Sequence, residues 1–228
     1  MLKIKQLQLK MNIGQSFTTV RGITFMNATR TVVFLACSIT MIFFGTAQAQ
    51  SDNVPAGGGA PRPIAEKIVD ALPSGPLYWS VKSFPSLEDA KKASGEFSLA
   101  AESDGKAWLF AIGTKSKAVE GDVAVIEAGP ITPPVASKFL LRVSESITTP
   151  GRKTPVHTHP GSEAIYVLKG AVEIKTKDRT HLVSAGEASA GPPPNTVMQA
   201  TTMGTETAHN LIMFVLDASK PPQTPASF

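Results

Sequence analysis

The sequence predicts an all-β fold, a sandwich or a barrel, with one or two short helices near its N-terminal end. From residue 97 onward, short segments with strand-like alternation follow one another at near-regular spacing. Gly, Pro or Asp/Lys turns separate most of these segments, which is typical of all-β domains. Residues 164–168 are almost continuously apolar, as expected for a central strand that is covered on both faces.

The first 49 residues predict a secretory signal peptide. Five basic residues and no acidic residue precede an apolar run over residues 31–45 and the sequence Ala47-Gln48-Ala49, which is the order of features in such signals. We expect cleavage after Ala49 and export to the bacterial periplasm or the medium, with Met11 or Met26 as alternative starts. An uncleaved anchor is the alternative, although about 15 apolar residues are few for a membrane span.

Charge and cysteine content depend on this segment. The whole chain has 22 basic and 18 acidic residues among 228. Without residues 1–49 it has 179 residues, 17 basic and 18 acidic, and a net charge of −1. This balance argues against a nucleic-acid partner, and contact with a membrane is expected only through the signal peptide. The single cysteine, Cys37, leaves with the signal, so stability must come from a hydrophobic core.

The segment between the signal and the strands divides into two parts. Residues 50–62 are rich in Gly, Pro and Ala and predict a flexible leader. Residues 63–95 predict an N-terminal extension with short helices. Apolar residues at helical spacing after Pro63 indicate a first helix over residues 63–72. Residues 77–84 alternate like a strand, and Ser86 is a suitable N-cap for a second helix over residues 87–93.

Ten further strands are predicted, at residues 97–102, 106–112, 122–128, 138–145, 154–159, 164–168, 171–176, 180–184, 196–202 and 209–216. We assign them to one barrel domain over residues 96–217, since residues 97–145 are too few for a second closed barrel. They are expected to add flanking strands to the same barrel. The Pro-rich tail, residues 218–228, is expected to be extended and exposed.

One short stretch carries the chemistry. His157 and His159 are two residues apart, so on a strand their side chains point the same way. Pro160-Gly161 predicts a tight turn that would bring Glu163 beside the two imidazoles. Two imidazoles and one carboxylate form a metal site with open coordination positions. Inside an apolar cup an unpaired carboxylate is costly, and a bound cation would offset that cost.

This stretch resembles the first signature motif of the cupin family. The family spacing is matched at five fixed positions: Gly151, His157, His159, Glu163 and Gly170. The second motif is matched at Gly186 and Pro192 only. Pro194 stands at its second glycine, Val197 or Met198 at its histidine, and Thr201 or Thr202 at its asparagine. The resemblance implies a double-stranded β-helix, or jelly-roll barrel.

The resemblance also implies a divalent transition metal, Fe, Mn, Zn or Ni, held by His157, His159 and Glu163. The fourth position is open between Met198, a soft thioether that could equally pack as an apolar wall, and His209 at the start of the last strand. A metal-free barrel whose polar residues satisfy one another is the alternative. His181 follows a polar hairpin tip and is expected to be solvated.

Three functions remain open. The first is a small-molecule enzyme, a dioxygenase-like oxidoreductase or an isomerase, whose open metal positions would bind oxygen or a substrate. The second is a binding or sensing module that holds a small ligand, with or without a metal. The third is a structural or partner-binding barrel that forms a homodimer. The sequence has no nucleophile elbow and no phosphate-binding loop, and it identifies no catalytic residue and no second cofactor.

Overall fold

Three antiparallel β-sheets packed in layers form the protein in the computed structural model, which describes residues 60–115 and 126–228. The predicted signal peptide, nearly all of the leader and the first residues of the predicted strand 122–128 lie outside the described residues. No helix within the described ranges is both long enough and apolar enough to cross a membrane.

Fourteen strands and one helix make up the described chain. They are β1 (Arg62–Val69), β2 (Leu77–Phe84), α1 (Leu87–Lys92), β3 (Ser98–Ser103), β4 (Lys106–Gly113), β5 (Ile126–Ile131), β6 (Phe139–Thr148), β7 (His157–Thr158), β8 (Gly161–Lys169), β9 (Ala171–Thr176), β10 (Thr180–Ser184), β11 (Ala188–Ala190), β12 (Met198–Met203), β13 (Ala208–Asp217) and β14 (Thr224–Pro225).

The three sheets have distinct roles. The central sheet has the order β1-β6-β13-β8-β11, and its long strands β6 and β13 have ten residues each. The cavity sheet, β10-β9-β12-β7-β14, faces one side of it, and the covering sheet, β3-β4-β2-β5, packs on the other side. This is the predicted all-β jelly-roll architecture. The strands within residues 77–113 and 126–131, however, form a layer of their own in addition to the strands that surround the cavity.

The strand β8 shows why the central sheet is apolar on both faces. Ala164 and Tyr166 pack into the core shared with the covering sheet, where the Trp108 ring meets the Tyr166 ring edge-on at 5.9 Å. Ile165 and Val167 pack into a second core with residues of the cavity sheet. Because side chains alternate along a strand, an unbroken apolar run is the pattern that two packed faces require. The prediction for this strand is confirmed.

The helix predicted over residues 63–72 is wrong, because residues 62–69 form the edge strand β1. This strand pairs antiparallel with β6, with a register shift between Pro63 and Ala65. The Arg62 guanidinium also bonds the Glu145 carboxylate across the pair at 2.7 Å. An exposed edge of the long β6 offers backbone hydrogen bonds that outweigh the weak helical preference of a short segment rich in β-branched residues.

The second predicted helix is confirmed as α1. The Ser86 hydroxyl accepts a hydrogen bond from the Asp89 backbone N–H at 3.1 Å, as an N-cap does. Two short strands, β11 and β14, were not predicted from the sequence. β14 lies in the Pro-rich tail, which is mostly exposed but pairs with β7.

Candidate metal centre and ligand cavity

A cavity of about 520 Å³ lies between the central sheet and the cavity sheet. His157, His159 and Glu163 line one part of it together with Phe214 and Met198. The structure therefore brings the three side chains of the predicted site to one cavity. The size is within the range of pockets that hold small molecules.

The two histidines face each other through their Nε2 atoms, which are 3.1 Å apart. The Nδ1–H of His157 donates to the Pro155 carbonyl at 2.7 Å, and that of His159 donates to the Pro222 carbonyl at 2.6 Å. A carbonyl can only accept, so both Nδ1 atoms carry the proton. Each neutral ring then has its lone pair on Nε2. Such carbonyl partners fix metal-binding histidines in other proteins in the same tautomer.

Glu163 is buried beside this pair, with its Oε2 atom 3.5 Å from His159 Nε2. Burial raises the pKa of the Glu163 carboxyl to about 7. Burial is also the largest cause that lowers the pKa of His159 to about 4, which the Pro222 carbonyl partly opposes. In the metal-free protein at neutral pH the contact between Glu163 and His159 is therefore not an ion pair, because His159 is uncharged.

Two glycines set the position of Glu163. Gly161 begins β8 directly after the turn, and a side chain there would collide with the Val215 carbonyl of the neighbouring strand. Gly191 lies against Glu163, and a Cβ at that position would overlap the Glu163 side chain. The predicted turn at Pro160-Gly161 therefore carries the chain from the cavity sheet into the central sheet, and Glu163 follows on the cavity side.

Of the two candidates for a fourth ligand, Met198 lines the cavity and His209 does not. Met198 is opposite His157 in the register and is buried in the apolar cluster of the cavity sheet. It lines the cavity as an apolar wall. The prediction that His209 could reach the site is wrong: its Nε2 lies 3.0 Å from Glu145 Oε1 and 3.2 Å from Ser103 Oγ. Asn210, Ile212 and Phe214 line the cavity, so alternation along β13 turns His209 to the opposite face.

Two imidazole nitrogens and one carboxylate are donors that suit a divalent transition metal. The positions of the two nitrogens also suit one ion. Two ligands about 2.0–2.1 Å from one ion, at angles of about 90–110°, are separated by about 3–3.4 Å, and the two Nε2 atoms satisfy this. Among residues 60–115 and 126–228, however, no three His, Cys, Asp or Glu side chains are already arranged to hold an ion. The imidazoles are in place, whereas the Glu163 carboxylate would have to turn toward them.

Sequence reasoning missed two contributions to the site. The tail supplies the Pro222 carbonyl, for which the sequence gives no signal because the partner is a backbone atom 63 residues away. The strand β6 supplies a polar stripe to the cavity, consisting of Arg142, Ser144, Ser146 and Thr148. This stripe was visible as polar residues at every second position from 142 to 148, in a strand whose other residues are apolar except Glu145.

Comparison with known proteins assigns the region around the site. The family model described as cupin domain matches residues 145–214, so these residues form a cupin domain and the resemblance of the first motif is confirmed. They include both histidines, Glu163 and two of the four residues of the polar stripe, Ser146 and Thr148. No curated protein matches the chain.

Solved structures overlap with parts of the chain only. A cupin 2 domain-containing protein from Halorhodospira halophila is 16% identical with a TM-score of 0.34, covering 38% of this chain and 59% of its own. A cupin-like protein from Thermotoga maritima is 19% identical with a TM-score of 0.34, covering 38% and 65%. Oxalate oxidase in complex with the substrate analogue glycolate is 21% identical with a TM-score of 0.32, covering 38% and 46%. In each case the overlap spans less than two thirds of the solved chain.

Proposed function

We propose that the cupin domain at residues 145–214 binds one divalent transition metal through His157, His159 and Glu163 and uses it to bind a small molecule in the adjoining cavity. The observation that carries the proposal is the pair of Nε2 atoms 3.1 Å apart, each on a ring whose Nδ1–H is bound to a backbone carbonyl. Two Nε2 lone pairs at this distance are unfavourable unless a cation, either a metal ion or a proton, lies between them.

The chain's own groups would serve this function as follows. The Pro155 and Pro222 carbonyls orient the imidazoles, and apolar residues around them, including Phe214 at 5.0 Å from the His159 ring, limit access of water. Glu163 supplies the negative charge. A bound metal would supply Lewis acidity toward an oxygen atom of a ligand. With three protein ligands the site suits Fe, Mn, Zn or Ni.

Within this function, we propose a dioxygenase-like oxidoreductase as the first reaction class, by analogy with the fold alone. The second candidate is a binding or sensing module that catalyses nothing, with or without a metal. One observation favours it: Met198, at the histidine place of the second motif, is packed in an apolar cluster and adds no fourth ligand. Oxygen consumption with a panel of small organic substrates separates the two, because a binder consumes none.

Metal analysis of the purified protein tests the proposal. We expect one ion per chain when Fe, Mn, Zn and Ni are offered separately, and its loss in His157→Ala and in His159→Ala. His181→Ala is the matched control, since His181 is exposed and bonds only the Ser189 hydroxyl among the described residues. A wild-type protein that stays free of every metal offered would refute the metal function.

We further propose that the protein is exported. The support is the basic, apolar and Ala-x-Ala order within residues 1–49. Mass spectrometry of the protein from the periplasm and the medium should give an N-terminus at Gln50. Retention of the full chain in the cytoplasm would contradict this.

A further inference from the structure

The wall of the cavity that the central sheet provides is polar. Ser144 and Ser146 on β6 and Asn210 on β13 line it, and their residues are 3%, 7% and 3% exposed. Asn210 is directly opposite Ser146 in the strand register. Three uncharged hydrogen-bonding side chains therefore form one patch of the buried surface.

This polar patch lacks partners inside the protein. The side-chain hydroxyls of Ser144 and Ser146 bond none of the described residues and are open to the cavity, whereas the Oδ1 atom of Asn210 is enclosed and has no hydrogen bond. A buried polar group without a partner costs about 1–3 kcal/mol. The two serine hydroxyls and the Asn210 amide nitrogen are not enclosed in this way, so they can hydrogen-bond the hydroxyl groups of a ligand in the cavity.

A cation stands at one end of this patch. Arg142 precedes Ser144 by two residues on β6 and lines the same side of the cavity. Its Nε donates to Glu66 Oε2 at 2.8 Å. Its other guanidinium N–H groups bond none of the described residues, so they are free to bind an oxyanion. In the register, Arg142 is opposite Phe214, and Phe214 is opposite Glu163. Arg142 therefore belongs to the same row of the central sheet as Glu163, with the two backbones two strands or about 10 Å apart.

Part of the facing wall is apolar, beside polar lining residues that include Arg152, Thr154 and Thr202. Val172 and Ile174 on β9 and Ala200 on β12 line the cavity from the cavity sheet. A ligand between the two walls would meet hydrogen-bonding groups on one side and hydrocarbon on the other. This favours a carbon chain with hydroxyl groups along one face.

The spacing of the polar wall limits the length of the ligand. Arg142 and Ser146 are four residues apart on β6, which is about 13 Å along a strand. A six-carbon chain of about 6 Å with a hydrogen bond of about 3 Å at each end spans about 12 Å. The cavity of about 520 Å³ accommodates such a molecule.

We propose that the cavity binds a hydroxylated carboxylic acid of about six carbons, with its carboxylate on Arg142 and its hydroxyl groups on Ser144, Ser146 and Asn210. The proposal rests on the proposed function in that it names the ligand class of the same cavity. The expected ligand selectivity depends on no contact with the metal. The ligand proposal and the metal proposal can therefore be contradicted separately.

Three six-carbon probes test the ligand class by calorimetric titration: D-gluconate, its neutral counterpart D-glucitol, and hexanoate, which lacks hydroxyl groups. We expect gluconate to bind about tenfold or more tightly than glucitol, as one charge-assisted hydrogen bond implies, and about tenfold or more tightly than hexanoate, as hydrogen bonds to its hydroxyl groups imply. The titration is made on metal-loaded and on chelator-treated protein, and the same preference is expected in both. Equal binding of all three probes, or no binding of any, would overturn the proposal.

Variants assign the preference to residues. Arg142→Gln should reduce gluconate binding to that of glucitol, whereas Glu66→Gln should leave it or strengthen it. Asn210→Leu should weaken gluconate and glucitol about tenfold while its melting temperature stays or rises, because an unpaired buried amide is removed. Ser146→Ala is a second variant with the same expectation for binding. Met213→Leu, on the opposite face of β13, is the control.

The outcomes separate the ligand from the metal. Metal content should be unchanged in Asn210→Leu, so a protein that binds metal but shows no preference for gluconate contradicts the ligand class alone. A protein that binds no metal but keeps the preference contradicts the metal function alone. Unchanged gluconate binding in both Asn210→Leu and Ser146→Ala would overturn the assignment of the polar wall.

Discussion

Glu163 is the residue at which stability and the proposed function oppose each other. Its carboxyl is buried, and burial raises its pKa from 4.5 to about 7. In the unfolded chain the group ionises from about pH 4.5 upward, whereas in the metal-free fold it holds its proton until about pH 7. The metal-free fold therefore loses stability as the pH rises through this window and keeps the full penalty above it.

Glu163→Gln should remove this penalty. A difference of about 2.5 pKa units corresponds to about 3 kcal/mol at pH 8 as an upper bound. We therefore expect the metal-free variant to unfold at a higher urea concentration than the metal-free wild type at pH 8, and to show no such gain at pH 4. It should also lose the metal. A wild type and a variant of equal stability at both pH values would contradict the assignment.

His159 shows the opposite dependence. Its pKa falls from 6.5 to about 4 mainly through burial, so the unfolded chain takes up a proton below about pH 6.5 that the fold does not. Stability is lost as the pH falls from about 6.5 to about 4. Between pH 4.5 and 6.5 the two trends cancel in the wild type. The Glu163→Gln variant should therefore reveal a loss of stability toward acid in urea titrations of the metal-free protein.

At the scale of elements, the tail acts as part of the site. β14 pairs with β7, the Ala226 N–H donates to the Val156 carbonyl at 3.0 Å, and the Pro222 carbonyl holds His159. The segment that carries the histidines is thus fixed from both sides, by β12 and by the tail.

Removal of residues 222–228 should weaken the metal site. Loss of a hydrogen-bond partner of a metal-binding histidine typically costs about 10–100-fold in affinity, and we expect this range in competition titrations with a chelator. Phe228→Ala is the control, since the Phe228 ring is about half exposed and lies 5.3 Å from the Lys175 ammonium in a cation–π contact. Unchanged affinity of the truncated protein would show that the Pro222 carbonyl does not position His159.

At the scale of the whole molecule, the cavity sheet and the covering sheet both pack on the central sheet. Its strands β6, β8 and β13 are covered on both faces and carry the largest share of fully buried side chains, among them Leu141, Val167, Leu211 and Met213. Protected amides lie where many buried apolar contacts must open together.

Hydrogen-exchange rates should follow the burial of the strands, with the slowest exchange in the most buried ones. We expect the slowest exchange in β8 and β13 and fast exchange in β14 and in the edge strand β10, most of whose residues are exposed. Mass spectrometry of exchanged peptides measures this. Slow exchange confined to the covering sheet would instead mark that layer as the most stable unit.

The fold and the site differ in how far the sequence predicts them. Alternation and turn residues predicted most strands, and a nearly continuous apolar run predicted the burial of β8, because side-chain direction on a strand is a local property. The helix over residues 63–72 was wrong because pairing with β6 is a tertiary effect that a short window cannot contain. His209 was misplaced for a related reason: which face of β13 lines the cavity depends on the packing of two sheets.

The sequence by itself determined the all-β class, the helix α1 and the convergence of His157, His159 and Glu163, since the spacing of three residues around one turn is short-range information. Only the tertiary structure decided the tautomers of the histidines, the role of the tail and the polar wall of the cavity that the histidines and Glu163 also line. Each of these joins atoms from strands far apart in the chain, such as β7 with residue 222 and β6 with β13. Which of those strands become neighbours is decided by the burial of apolar faces across the whole molecule.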